Sequence, residues 1–202
     1  MRVIAGSSGG VPLRTLNVEG LRPMLDRVKE SVFNILRGYL EDARVLDLFA
    51  GCGSLGIEAL SRGASSCVFV EKNRRLADLI AENLQKCRLS DRTEIMQGDV
   101  LHLASRRPPR ELTPASLCLC DPPYAMMDDE EGRKRLFSVL EAISGTWLEP
   151  HCLLMLHHPP PGPKEWPTDL FDARDSRTYG RSAITFFRAS PDATDDKGSR
   201  DV

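Results

Sequence analysis

Between Val45 and Gly63 the chain runs from a short apolar stretch through a glycine-rich turn into a short helical segment, and that order leaves few choices of fold. The run Val45 to Leu48 leads into Gly51-Cys52-Gly53-Ser54-Leu55-Gly56, which satisfies G-x-G-x-x-G literally, and a short helix from about Leu55 stops near Gly63. A strand, a glycine turn and a helix N-terminus in succession form a cradle where backbone N–H groups can approach a ligand. The next apolar run, Cys67 to Glu71, ends in an acid at the spacing of the dinucleotide-binding fingerprint, about 20 residues after the first glycine.

The alternation continues. Leu76, Leu79, Ile80, Leu84 and Cys87 mark one face of a helix; Glu94 to Met96 and Leu117 to Cys120 read as strands, Arg135 to Ile143 as a helix and Cys152 to Leu156 as a fifth strand. Strands alternating with helices predict an α/β fold with a doubly wound, mostly parallel sheet. Two late extended segments, Asp172 to Thr178 and Ala183 to Phe187, lack an intervening helix and fit an antiparallel hairpin at the sheet edge. Ahead of the first strand, Arg2 to Ala5 and Val11 to Leu13 flank Gly6-Ser7-Ser8-Gly9-Gly10 as a small hairpin appendage. Val28, Val32, Ile35, Leu36 and Tyr39 then recur at helical spacing behind Asp26, the expected N-cap. The domain division is 1–22 for the N-terminal hairpin, 23–188 for the main domain and 189–202 for a polar tail expected to be disordered.

With no long apolar span and no signal-like N-terminus, the chain is expected to be soluble and cytoplasmic. Its six cysteines lie mostly in apolar contexts without the spacing of a zinc knuckle, so buried, reduced thiols are expected and no metal. The net charge of -2 argues against a strongly basic nucleic-acid binder, yet residues 1–40 carry six Arg or Lys against three acids. That local excess makes the N-terminal segment either a polyanion-facing part or a solvated basic face.

An acid at the tip of the second strand can accept both ribose hydroxyls of any adenosine-containing cofactor, so the glycine turn with Glu71 suits NAD and S-adenosylmethionine alike. Three further acids favour the methyl donor. Asp47, inside the first strand end, could accept from a cofactor ammonium, directly or through water, and would repel a pyrophosphate. Asp99, after the third strand, could take the adenine amino group. Asp121-Pro122-Pro123-Tyr124 follows the fourth strand and resembles the signature of enzymes that methylate exocyclic amino groups. There a carboxylate and a backbone carbonyl at a rigid corner can accept the two N–H bonds of an aromatic amine while the tyrosine ring stacks on its base. Asp-Pro-Pro is also an ordinary strand-ending turn. Four acids at successive strand ends are harder to explain that way, because the carboxyl edge of an open α/β sheet is where ligands bind.

The long motif Asp47 to Gly56, continuing through Glu58-Ala59-Leu60-Ser61-Arg62-Gly63-Ala64, resembles the RsmD-type bacterial family that methylates guanine N2 in small-subunit ribosomal RNA. Arg2-Val3-Ile4-Ala5-Gly6, Leu21-Arg22-Pro23, Asp26-Arg27-Val28-Lys29-Glu30 and the Asp-Pro-Pro-Tyr corner are similar too, in the same order, so the likeness covers residues 1 to about 188. It implies a seven-stranded, Rossmann-like class I methyltransferase sheet and an N-terminal extension that helps hold RNA. It further implies a cofactor pocket lined by Asp47, Phe49, Ala50, Gly51, Gly53, Glu71, Lys72, Asp99 and Val100, with Asp121, Pro122, Pro123 and Tyr124 serving the target base. Arg2, Arg14, Arg22 and Arg27 are the RNA-facing candidates. Met24 and Leu25 stand where the family usually has two threonines, so hydroxyl contacts expected at that corner are missing. The function expected is S-adenosylmethionine-dependent methylation of guanine N2 in small-subunit ribosomal RNA, free or in a partly assembled 30S subunit. The alternatives are N6-adenine methylation of DNA or RNA, NAD-dependent redox chemistry, and an idle RNA-binding assembly factor. His157 and His158, on opposite faces of an extended segment, read as ordinary strand-end histidines.

Overall fold

The computed structural model describes residues 1–16, 18 and 24–189. Arg22, the Leu21-Arg22-Pro23 element and the tail from 190 onward lie outside the described residues. Seven strands, β1 (Arg44–Leu48), β2 (Ser66–Glu71), β3 (Thr93–Gln97), β4 (Ala115–Cys120), β5 (Leu148–His158), β6 (Phe171–Tyr179) and β7 (Ser182–Ala189), form one sheet in the order β3-β2-β1-β4-β5-β7-β6. The first five pair in parallel, while β7 runs antiparallel to both β5 and β6. The order reverses direction at β1, so the ends of β1 and β4 flank the crevice where ligands bind in such sheets.

The helices are α1 (Asp26–Ile35), α2 (Ser54–Ser61), α3 (Arg74–Cys87), α4 (Tyr124–Asp128) and α5 (Glu130–Ala142). Because side chains alternate across a strand, each central strand feeds two cores. Val45, Cys67, Phe69, Leu117 and Leu119 pack against α1, α2 and α3, whereas Leu46, Leu48, Val68, Val70, Cys118 and Cys120 pack against α5 and Trp147. All six cysteines are free and buried. No helix among the described residues is long and apolar enough to cross a membrane.

Two local expectations are corrected. Asp26 is the first residue of α1 rather than its cap; Leu25 holds the cap position and makes no side-chain capping bond. Tyr39 is 47% exposed, because α1 tightens into a 3-10 turn at Leu36–Tyr39 and the helical phase that would have buried it is lost. Its ring instead lies under the Arg188 guanidinium, 5.0 Å from the centroid. In the acidic run Asp128 to Glu131, Asp128 ends α4 and Asp129 caps α5 by accepting the Gly132 N–H at 2.8 Å.

Candidate active site

After Leu48 the backbone must leave the sheet, turn sharply and enter α2. Three residues adopt left-handed φ to do so: Phe49 at 59°, Gly51 at 58° and Gly53 at 81°. Glycine accepts this freely, but Phe49 is strained, by roughly 1–2 kcal/mol. Two carboxylates hold the turn in shape. Asp47 Oδ2 accepts the Gly56 N–H at 2.8 Å, and Glu71 Oε2 accepts the Gly51 N–H at 2.8 Å. The other Glu71 oxygen accepts the Asn73 N–H at 2.7 Å, tying the turn to the start of α3. Each oxygen retains a second lone pair for a ligand hydroxyl.

Asp47 is 1% exposed, and its Oδ1 has no hydrogen-bond partner among the described residues. Burial, abetted by the charges of Asp121 and Glu71 and opposed by the Gly56 N–H, pushes its carboxyl up to about 8. A buried acceptor lacking a donor, beside two further carboxylates, suits the ammonium of an amino-acid-bearing cofactor, so the residues present fit S-adenosylmethionine. Asp99 is more committed than its sequence position suggested. Its Oδ1 accepts the Leu101 N–H at 3.0 Å and its Oδ2 pairs with Lys72 Nζ at 3.1 Å. Burial works against its charged form, but these two donors prevail and hold its carboxyl below the ordinary value. Ala50 and Val100 are buried beside these groups.

The other half lies one strand over. The Asp121 N–H donates to the Leu48 carbonyl at 3.3 Å, which sets the Asp-Pro-Pro-Tyr corner against the end of β1. Pro122 is buried and Pro123 exposed. The Pro123 carbonyl accepts the Met126 N–H at 2.9 Å inside α4, whereas the Pro122 carbonyl accepts no hydrogen bond among the described residues. Asp121 Oδ1 lies 2.6 Å from His157 Nδ1, and His157 Nε2 lies 3.0 Å from the Tyr124 hydroxyl. Ser182 Oγ at 3.0 Å and the Arg181 carbonyl at 3.2 Å complete the surroundings of that hydroxyl. Asp121 Oδ2 makes no hydrogen bond among the described residues.

His157 thus bridges Asp121 and Tyr124, a placement that contradicts its reading as an ordinary strand-end residue. The sequence shows this only once the strand order is known. Cys120 registers with Leu156, so in a sheet with β4 beside β5 the residue after each is its neighbour's partner. His158 does face away, bonding to Thr185 Oγ1 at 2.8 Å, and burial lowers its pKa.

A family model described as conserved hypothetical protein 95 matches residues 1–188, from the N-terminal segment into β7. The chain belongs to this family. It is 37% identical over 156 residues to ribosomal RNA small subunit methyltransferase D of Haemophilus influenzae, covering 76% of each chain. It is 33% identical over 193 residues to the Bacillus subtilis protein YlbH, covering 93% of this chain and 98% of that one. Among solved structures, yhhF of Escherichia coli aligns with a TM-score of 0.78 at 26% identity, covering 95% of this chain and 98% of its own. The RsmD-type resemblance and the class I methyltransferase fold expected from the sequence both hold.

The family's N-terminal motifs meet in one buried polar cluster. Glu58, fully buried on α2, accepts the Ile4 N–H at 2.7 Å and the Ala5 N–H at 3.1 Å and pairs with Arg62 at 2.7 Å and Lys29 at 3.4 Å. Lys29, also fully buried, donates to the Arg2 carbonyl at 2.7 Å and to Ser54 Oγ at 3.1 Å; burial lowers its pKa and Glu58 opposes the shift. Counted among the basic residues that could meet a polyanion, Lys29 is instead an internal strut. Asn83 of α3 adds a second tie, donating to the Arg14 and Cys52 carbonyls at 3.0 Å each. The hairpin is therefore joined to the glycine turn. Of the RNA-facing candidates, Arg2 lies 3.8 Å from Asp26, Arg14 pairs with Glu82, and Arg27 is exposed on α1. Exposed pairs of this kind are worth little, so those arginines are free to exchange partners.

Proposed function

We propose that this chain transfers a methyl group from S-adenosylmethionine to the exocyclic N2 of a guanine in small-subunit ribosomal RNA. The observation that carries the reading is the bond from Asp121 N–H to the Leu48 carbonyl, which sets an amine-holding corner beside the glycine turn and Asp47. Bound there, S-adenosylmethionine supplies an electrophilic methyl group. Glu71 accepts its ribose hydroxyls and Asp47 Oδ1 its ammonium, while Phe49, Ala50, Gly51 and Gly53 give the backbone approach. Lys72 must turn outward before Asp99 can reach an adenine, and its 76% exposed side chain leaves it free to do so.

Asp121 Oδ2 and the Pro122 carbonyl accept the two N–H bonds of the guanine amine and aim its lone pair at the methyl group. The Tyr124 ring stacks on the extruded base. The amine proton becomes acidic only as the N–C bond forms, so Asp121 need not be a strong base. Family membership and the relatives' names support an RNA substrate; a partly assembled 30S subunit is the form in which we expect it. Incubating the protein with labelled S-adenosylmethionine and either naked small-subunit ribosomal RNA or unmodified 30S subunits, then mapping the label, tests the reading. Label on one guanine N2 is expected. Label on adenine N6, or none on either substrate, would overturn it.

A further inference from the structure

Asp121 and Tyr124 are poorly restrained by their own segment. The Asp121 side chain is 22% exposed at a strand end, and Tyr124 opens a helix of five residues in which Met127 alone is buried. Left to themselves, a carboxylate and a ring in such positions would sample several rotamers. His157 is differently held: its side chain is 3% exposed, on a strand paired on both sides, opposite Ile184 of β7. Its ring reaches both residues, with Nδ1 2.6 Å from Asp121 Oδ1 and Nε2 3.0 Å from the Tyr124 hydroxyl, the two rings meeting edge to face at 5.4 Å.

A carboxylate can only accept, so Nδ1 carries a proton and donates to Asp121; in the neutral ring Nε2 accepts the one Tyr124 hydroxyl proton at 3.0 Å in preference to the Arg181 carbonyl at 3.2 Å, and Ser182 Oγ donates to the hydroxyl oxygen. One rigid imidazole therefore ties the rotamer of the amine-holding acid to the base-stacking ring, whose hydroxyl Ser182 and the Arg181 carbonyl help to seat. Occupying Oδ1 also turns Oδ2 toward the amine. We infer that His157 is a positioning residue for methyl transfer, coupling Asp121 to Tyr124; this rests on the base-holding role proposed above for those two residues.

The test is a single-turnover methyl-transfer rate at saturating S-adenosylmethionine on unmodified substrate, with cofactor affinity and cooperative melting measured for each variant. His157→Ala should slow transfer about 10- to 100-fold with cofactor affinity unchanged, the scale on which a misplaced reacting group costs rate. His157→Asn puts an amide N–H near the site of Nδ1, so it should keep the Asp121 contact, lose the Tyr124 one, and match Tyr124→Phe in rate. Because both act on the same link, the double variant His157→Asn/Tyr124→Phe should be no slower than either alone. If His157→Ala fails to fold, His157→Asn, which leaves a smaller void and keeps a donor at the Nδ1 site, carries the comparison. A parent-like rate in the folded His157 variants, or losses that multiply in the double variant, would overturn the inference. Asp121→Ala separates the two levels. If it is slow while the His157 variants are not, only the coupling falls; if it too is parent-like, the base-holding role falls first.

Discussion

On the half of the site proposed to hold the cofactor, Asp47 and Glu71 engage backbone amides of the glycine turn, Gly56 and Gly51, 9 and 20 residues away. On the base half, Asp121 is held by an imidazole 36 residues away on another strand, and Tyr124 by groups 33 and 58 residues distant. The first arrangement makes ligand binding inseparable from the shape of the loop, since removing either acid strips an acceptor from a backbone donor. The second separates function from fold, because the Asp121 side chain holds no backbone group in place. Substitutions in the two halves should therefore fail differently: in affinity and stability on one side, in rate on the other.

Glu71→Ala should show the largest combined effect. Losing a charge-assisted contact should weaken S-adenosylmethionine binding by ~1.5 to 3 kcal/mol. The Gly51 and Asn73 amides left without an acceptor should lower stability by a further ~1 to 3 kcal/mol. Calorimetry and denaturant melts read the two separately, and loss of affinity without loss of stability would break the contrast between the halves.

Asp47 sharpens the contrast through pH. Its folded pKa of about 8 lies above the ordinary carboxyl value of 3.8, so the folded protein binds more protons than the unfolded chain between those limits. Stability should fall as pH rises through that window and level off above about 8. Asp47→Asn keeps an acceptor for the Gly56 N–H and should remove the slope, leaving the variant more stable than the parent at high pH by a few kcal/mol while weakening cofactor binding. Parallel pH–stability curves for parent and variant would refute this. The smallest effect is expected from Arg27→Ala. It should lower the slope of RNA affinity against salt by about one unit, alike for every sequence, with cofactor affinity unchanged; an unaltered slope would make Arg27 part of a solvated face.

The cofactor half was legible in the sequence because its bonds are local: a strand, a glycine turn, a helix and an acid at fixed spacing specify one another. The base half was legible only at Asp121 to Tyr124, where the motif is contiguous. His157 was missed since its partners depend on strand order, and alternation shows only that it faces away from His158. The buried role of Lys29 was hidden for a related reason. A lysine in a charged stretch resembles a solvated one until Glu58 and Ser54 of α2 and the Arg2 carbonyl of the N-terminal stretch close around it. Tyr39 failed at the change from α-helix to 3-10 turn, where periodicity ceases to report a face.

The most direct test of the account is single-turnover methylation by Asp121→Ala, with S-adenosylmethionine affinity measured on the same preparation. The account predicts transfer slowed about 100-fold or more, the scale of one preorganised transition-state hydrogen bond, with cofactor affinity close to the parent and only the loss of stability expected from a His157 N–H left without its carboxylate. A variant that folds, binds cofactor and transfers methyl at near the parent rate would make Asp121 a turn residue and remove the division between the halves.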